Sequence, residues 1–467
     1  MKKWSLFYKV GALFGLTLLM LIPVTMIMEV VDERHYYQLD VVDKITESAG
    51  GKQFVVGPIL VQPYIEYQRE VVKGKVIITE YLRQKYILPE NLAVNGDLKV
   101  EKRKLGIYDT QVYKGDITFT GQLPSPEMSN VKDKIALREP YLVVAVMNPA
   151  GIISVPQLTI NQQPFNFSPG VGKSRFSKGV HAVLPVALSS SKNTLDFKFT
   201  LSLQGSQSLS VVPVGKTTTY DLTANWPHAN FIGKYLPIDK NITDSGFSAS
   251  WQSSWFANNI NDRFERLRYE GDPVSAEYLP SFDVNLIELV DEYQLNQRSV
   301  KYAVLFIGLT FIAFFLFEVM KGLRIHPIQY LLVGTALALF YLILLALSEH
   351  IGFNLAYGIA ALACSGLISF YLSAVLRGLL RGLTFGLGLL VLYGVLFGLL
   401  QSENTALLLG SLVLFLILAI IMTLTRKLDW YNFSASVNSG GGVSEIDEAA
   451  HSELSEEIDR KSCRLWK

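Results

Sequence analysis

Residues 328–375 read IQYLLVGTALALFYLILLALSEHIGFNLAYGIAALACSGLISFYLSAV. The runs 328–347 and 351–375 each reach the ~20 residues that a helix needs to cross a bilayer. Only Ser348, Glu349 and His350 separate them, and neither run contains a charged residue. A helix that is apolar on every side is buried in a core or spans a membrane, and two such runs joined by so short a turn read as a membrane hairpin. The turn holds no Lys or Arg, so the positive-inside rule places it outside the cell.

The same rule extends the reading in both directions. Further spans are expected at 302–320, 381–400 and 406–425. Lys321 and Arg324 follow the first of these, Arg377 and Arg381 follow 351–375, and Arg426 and Lys427 follow the last. The loop Gln401-Ser402-Glu403-Asn404 lacks Lys and Arg, like the turn at 348–350. At the other end, Lys2, Lys3 and Lys9 precede the apolar run Val10–Met28. That run exceeds the ~7–15 residues of a signal-peptide core, and no A-x-A-like cleavage site follows, so it reads as an uncleaved anchor. Six spans with alternating loops put both termini in the cytoplasm and 29–300 outside.

The chain has 467 residues, half of them hydrophobic and 18% charged. Its mean hydropathy is +0.28. A net charge of +1 argues against a nucleic-acid partner, which calls for a basic face. Both cysteines, Cys364 and Cys463, lie outside 29–300, which excludes disulfides and Cys-based metal sites from that interval.

Within 29–300, Glu33–Thr46 continues the anchor as a helix, and Gly50-Gly51 ends it. Strands are expected at 54–61, 75–81, 112–120, 141–147, 195–203 and 282–290, where β-branched and aromatic residues concentrate. Frequent turns, as at Asn95-Gly96 and Asn148-Pro149, favour an antiparallel sandwich or a similar β architecture. The expected fold is thus an α-helical polytopic membrane protein with six transmembrane helices. A large, mainly antiparallel β extracytoplasmic domain is inserted between helices 1 and 2. Its segments are an anchor at 1–28, a periplasmic β domain at 29–300, a five-helix bundle at 301–428 and an unstructured cytoplasmic tail at 429–467.

Few motifs carry chemistry. Pro169-Gly170-Val171-Gly172-Lys173-Ser174 resembles a phosphate loop, but Phe167 stands where the first glycine is required. It reads as a glycine-rich loop, with no nucleotide partner. The six histidines show no metal-ligand spacing, and there is no G-x-S-x-G elbow. No metal or cofactor is expected. Ionisable residues, which would mark ion paths, are nearly absent from the spans: Glu318 lies near an inner end, and Glu349 with His350 at an outer one. Gly11 with Gly15, and Gly378, Gly382, Gly386, Gly394 and Gly398, are spaced for close helix packing.

The run WQSSWFANN at 251–259 is the most distinctive part of the exterior interval. Aromatics interleaved with amides suit sugar or peptide binding. Aromatics also fill β cores, and the core reading, with Trp251 and Trp255 on one strand face, is preferred.

This run, with LSVVPVG at 209–215, ANWPHANFIGKYLP at 224–237, HPIQYLLVG at 326–334 and ILLALSEHIGF at 343–353, resembles the CreD family of bacterial inner-membrane cell envelope integrity proteins. The resemblance covers the chain to about Tyr431. It implies a Gram-negative inner-membrane protein, produced under a two-component system and linked to envelope integrity. It supplies no catalytic residues. Trp226, His228, Trp251, Trp255, Glu349 and His350 lie in the matching motifs and are the candidate ligand or interface residues.

Three functions compete. The preferred one is a non-enzymatic envelope protein whose β domain binds an envelope component or another membrane protein. The second is a transporter or membrane enzyme with a site at Glu349 and His350. The third is an envelope sensor that needs a partner.

Overall fold

The computed structural model describes residues 5–72, 75–125, 135–185, 194–266, 278–286, 292–321, 325–376, 378–402 and 406–426. The tail expected at 429–467 lies outside them. The chain forms two compact units, Tyr36–Leu289 and Met1–His35 with Val290–Lys467. Helix α1, Ser5–Ser48, contributes to both.

In the unit formed by the chain ends, α1 is joined by α4 (Glu292–Lys301), α5 (Ala303–Lys321), α6 (Pro327–Ile351), α7 (Phe353–Val375), α8 (Leu379–Gln401) and α9 (Ala406–Thr425). Among the described residues four helices are long and apolar enough to span a membrane: α1, α6, α7 and α8. The pair α4–α5, bent by 44°, makes a fifth if taken as one span. Helix α9 carries no charged residue over its 20 residues.

Local chemistry sets the ends of α6. The His326 side chain accepts a hydrogen bond from the Ile328 N–H, and Gln329 Oε1 accepts one from the His326 N–H, each at 3.3 Å. Pro327 fills the first helical position, where a missing N–H costs nothing. The far end corrects the sequence reading. Ser348–His350 are not a turn: α6 runs on to Ile351, and the chain reverses at Gly352, whose φ of +79° favours glycine.

Close packing in this unit depends on glycine at selected positions. A Cβ on Gly382 would lie 2.6 Å from the Ser369 carbonyl oxygen and 2.7 Å from the Ser373 nitrogen, both backbone atoms of α7. Gly11, Gly15, Gly394 and Gly398 face open space among the described residues, so the spacing of small residues overstated the seam. Helix α1 is held at several levels. Lys9 Nζ lies 2.6 Å from Glu318 Oε1, and Tyr330 donates to Glu318 Oε2 at 2.8 Å. Met20 fits over Gly334, and Gln297 donates to Asp32 at 2.8 Å.

The other unit is built from two sheets. The first runs β14 (Asn230–Gly233), β17 (Phe282–Asn285), β12 (Ser208–Val212), β1 (Gln53–Val72), β6 (Tyr141–Val146), β10 (Gly179–Val183) and β9 (Ser168–Pro169). Strands β2 (Lys75–Ile87) and β5 (Ile135–Leu137) also pair with the long β1. The second runs β15 (Asp239–Thr243), β16 (Gly246–Ser254), β13 (Thr217–Ala224), β3 (Asn91–Leu105), β4 (Tyr108–Pro124), β11 (Thr194–Ser206), β7 (Gln157–Ile160) and β8 (Gln163–Asn166).

Most neighbours are antiparallel, but β1–β12 and β3–β13 are parallel, so the domain is mixed. Four of the six expected strands fall within longer observed ones, 141–147 is observed as Tyr141–Val146, and 282–290 is described as a strand only over Phe282–Asn285. One hydrophobic core holds both sheets. Trp251 on β16 stacks on Tyr220 of β13 at 5.0 Å, and Tyr220 stacks on Phe282 of β17 at 6.0 Å, which joins the sheets. In the glycine-rich loop, Gly170 and Gly172 have φ of +88° and +62°, the Ser174 hydroxyl donates to the Val171 carbonyl, and Phe167 is buried.

Candidate functional site

The aromatic run splits where β16 ends. Trp251, 2% exposed, belongs to the core. Trp255 does not share its strand face, because the strand stops at Ser254 and Trp255 opens a one-turn helix, α2 (Trp255–Asn258). The turn is fixed from below. Buried Asn258 donates to the Pro213 carbonyl and accepts from the Ile260 N–H, both at 3.0 Å. Asn259 then takes a left-handed φ of +48°, as asparagine tolerates, and α3 (Ile260–Arg266) follows. Trp255 is left half-buried beside Phe256, which is 89% exposed.

Trp255 lines a cleft of about 210 Å³. Ile87, Leu88, Val214 and Ile260 supply its apolar wall, and Lys85, Glu90, Lys216, Asn261 and Glu265 its polar groups. Lys216 Nζ sits 5.1 Å over the Trp255 ring and 2.6 Å from Glu90 Oε1. The ammonium is thus held between a ring face, which attracts cations, and a carboxylate. Tyr86 reaches the same cleft and is clamped, donating to Gln84 at 2.8 Å and accepting from the Arg175 N–H at 3.1 Å. Burial raises its phenol pKa above the ordinary value, and Arg175 offsets this in part. At neutral pH the hydroxyl is therefore a neutral donor.

A cleft with an aromatic platform, an apolar wall and converging donors and acceptors is equipped to bind rather than to fill a core. Its volume lies below the ~300–1,000 Å³ of pockets for drug-sized ligands, so it takes one side chain or one ring.

The other candidates separate from this cleft. Trp226 is buried, with His228 edge-on at 5.8 Å and Lys102 Nζ 5.6 Å over its ring. Neither Trp226 nor His228 lines the cleft. In the helical unit, Glu349 accepts a hydrogen bond from Tyr293 of α4 at 2.8 Å, and buried Asn296 donates to Ser348 at 2.8 Å. His350, the next residue along α6, is exposed. The expected Glu349–His350 corner is thus divided by helix geometry, since adjacent residues on a helix do not face each other. Among the described residues no three His, Cys, Asp or Glu side chains are placed to hold a metal.

The sequence pointed to Trp255 but missed Glu90, Lys216 and Glu265. These come from separate segments, and none carries a local signal. In the sequence Lys9 carries only a topology signal, and nothing local marks its pairing with Glu318.

The family profile described as "Inner membrane protein CreD" matches residues 5–431. The chain belongs to the CreD family. It is similar to the inner membrane protein CreD of Escherichia coli (strain K12), 42% identical over 435 residues, which covers 93% of this chain and 96% of that protein. With its four apolar helices, this makes the CreD-family chain a multi-pass inner-membrane protein.

Two solved structures of an M1 zinc metallopeptidase from Deinococcus radiodurans also align, one of a variant with a bound peptide. Their TM-scores are 0.21 and 0.20, at 12% and 10% identity. They cover 43% and 75% of this chain and 42% and 92% of their own. Likeness at that level carries no argument about fold or chemistry.

Proposed function

We propose that this CreD-family protein supports the cell envelope as a non-enzymatic binding or scaffolding module. Six spans hold the β unit on the periplasmic side, where it engages an envelope component or another inner-membrane protein. Both termini lie in the cytoplasm, and a two-component system controls its production. The Trp255 cleft is the observation that carries the binding role. The alternation of cationic and cation-free loops supports the sidedness.

Sidedness is tested by cysteine labelling. In a chain with Cys364 and Cys463 changed to serine, a cysteine at exposed Asn241 should react with a membrane-impermeant maleimide once the outer membrane is permeabilised. A cysteine at Lys427 should stay protected until the inner membrane is opened. Labelling in the reverse order would overturn the topology, and with it the periplasmic role.

A further inference from the structure

Lys85, Tyr86, Ile87 and Leu88 are consecutive, and all four line the Trp255 cleft. Successive side chains of a strand point to opposite faces. Lys85, Tyr86 and Ile87 are the last residues of β2 and Leu88 follows its end, so a cleft touched by three successive strand residues lies against the edge of the strand, not over one face. Strand β1 occupies one edge of β2 through Gln62↔Lys85, Val61↔Tyr86 and Leu60↔Ile87. The cleft opens on the other edge, which pairs with no described strand from Lys75 to Ile87.

The rest of β2 has the character of an unfinished sheet. Val76, Ile77, Ile78 and Leu82 are each about half exposed or more. A two-stranded ribbon alone is marginal in water, and a free edge with β-branched residues is a template for another strand. Lys75 and Lys85 stand at its two ends and make no ion pair among the described residues, while Arg83 is held by Glu66 of β1 at 3.3 Å. With Glu80 the single acid beside Lys75, Arg83 and Lys85, the strand is net basic, which favours an anionic occupant over a second copy of itself.

We infer that the free edge of β2 is a docking site for an extended, acidic segment of a partner protein. The segment adds as a further strand and drops one apolar or aromatic side chain into the Trp255 cleft. Main-chain hydrogen bonds supply the affinity, and the cleft and the two lysines fix register and choice of partner. This rests on the reading of the β unit as a binding module and adds the class of ligand.

The test uses the full chain in detergent with three synthetic ten-residue peptides. One alternates Glu and Val around a central Phe. The second carries Lys for Glu. The third is the acidic peptide with alternate nitrogens methylated. The acidic peptide should bind saturably, the basic one about tenfold more weakly, and the methylated one not at all. The variant Lys75→Glu/Lys85→Glu should reverse the preference between the first two, which a folding defect cannot mimic.

Equal binding of the methylated peptide, or an unmoved preference in the variant, would overturn strand addition. Oligomers of N-acetylglucosamine that bind in place of peptide, lost in Trp255→Ala, would overturn it and leave the binding module standing. Binding of neither probe would overturn both. A dimer of the chain that Lys75→Glu/Lys85→Glu disrupts, without peptide binding, would make the edge a self-contact and overturn the inference.

Discussion

Trp251→Ala should unfold the β unit far more readily than any change at Trp255, four residues on. The Trp251 ring stacks on Tyr220 at 5.0 Å and meets Phe231 edge-on at 5.5 Å, and both contacts lie in the single core that unites the sheets. Emptying a buried Trp site costs about 3–5 kcal/mol. For a unit of this size each kcal/mol lowers Tm by roughly 2–4 °C, so a fall of about 10 °C is expected. Trp255 is half-buried at the rim of a cleft, and Trp255→Ala should cost about 1 kcal/mol, a Tm change of roughly 2–4 °C. Thermal unfolding of the two variants in the full chain checks this. Equal losses would mean that the run is a single structural patch after all.

Gly382→Leu should break the α7–α8 interface, whereas Gly394→Leu should be accepted. At Gly382 the atoms that a side chain would meet are backbone atoms of α7, under 3 Å away, and backbone cannot rotate aside. The same glycine's carbonyl accepts a hydrogen bond from the Ser369 hydroxyl at 2.9 Å, which helix separation would also break. Overpacking costs about 1–3 kcal/mol where side chains can yield, and more is expected here. At Gly394 nothing lies within 4 Å among the described residues. The amount of full chain surviving solubilisation and heating should fall sharply for the first variant only. A matching loss in Gly394→Leu would place a further interface on that face of α8.

These two contrasts show what the sequence could and could not disclose. Apolar length made the helices legible, and alternation as in Asp196-Phe197-Lys198-Phe199 made the strands legible, because both report burial on a local period. Neither reports the partner. The parallel pairing of Gln53–Val56 with Leu209–Val212 joins segments far apart in the chain, and alternation is the same whichever way a neighbour runs. The glycines of α8 share one spacing but not one environment. Trp251 and Trp255 are four apart, which fits one helix face poorly told from one strand face. Only the break at Ser254 separates them. The cleft itself draws on 85–90, 124–125, 214–216 and 255–265, so no single stretch could announce it.

The most direct test of the binding role is an envelope-integrity assay in cells lacking the native protein, complemented by full-length Trp255→Ala/Lys85→Glu. Both side chains line the cleft and neither belongs to the buried core. At inner-membrane levels equal to the unaltered chain, the variant should fail to restore envelope integrity, while a Glu349→Gln chain should restore it. Full restoration by the cleft variant would contradict the account, and loss confined to Glu349→Gln would move the site to the helical unit.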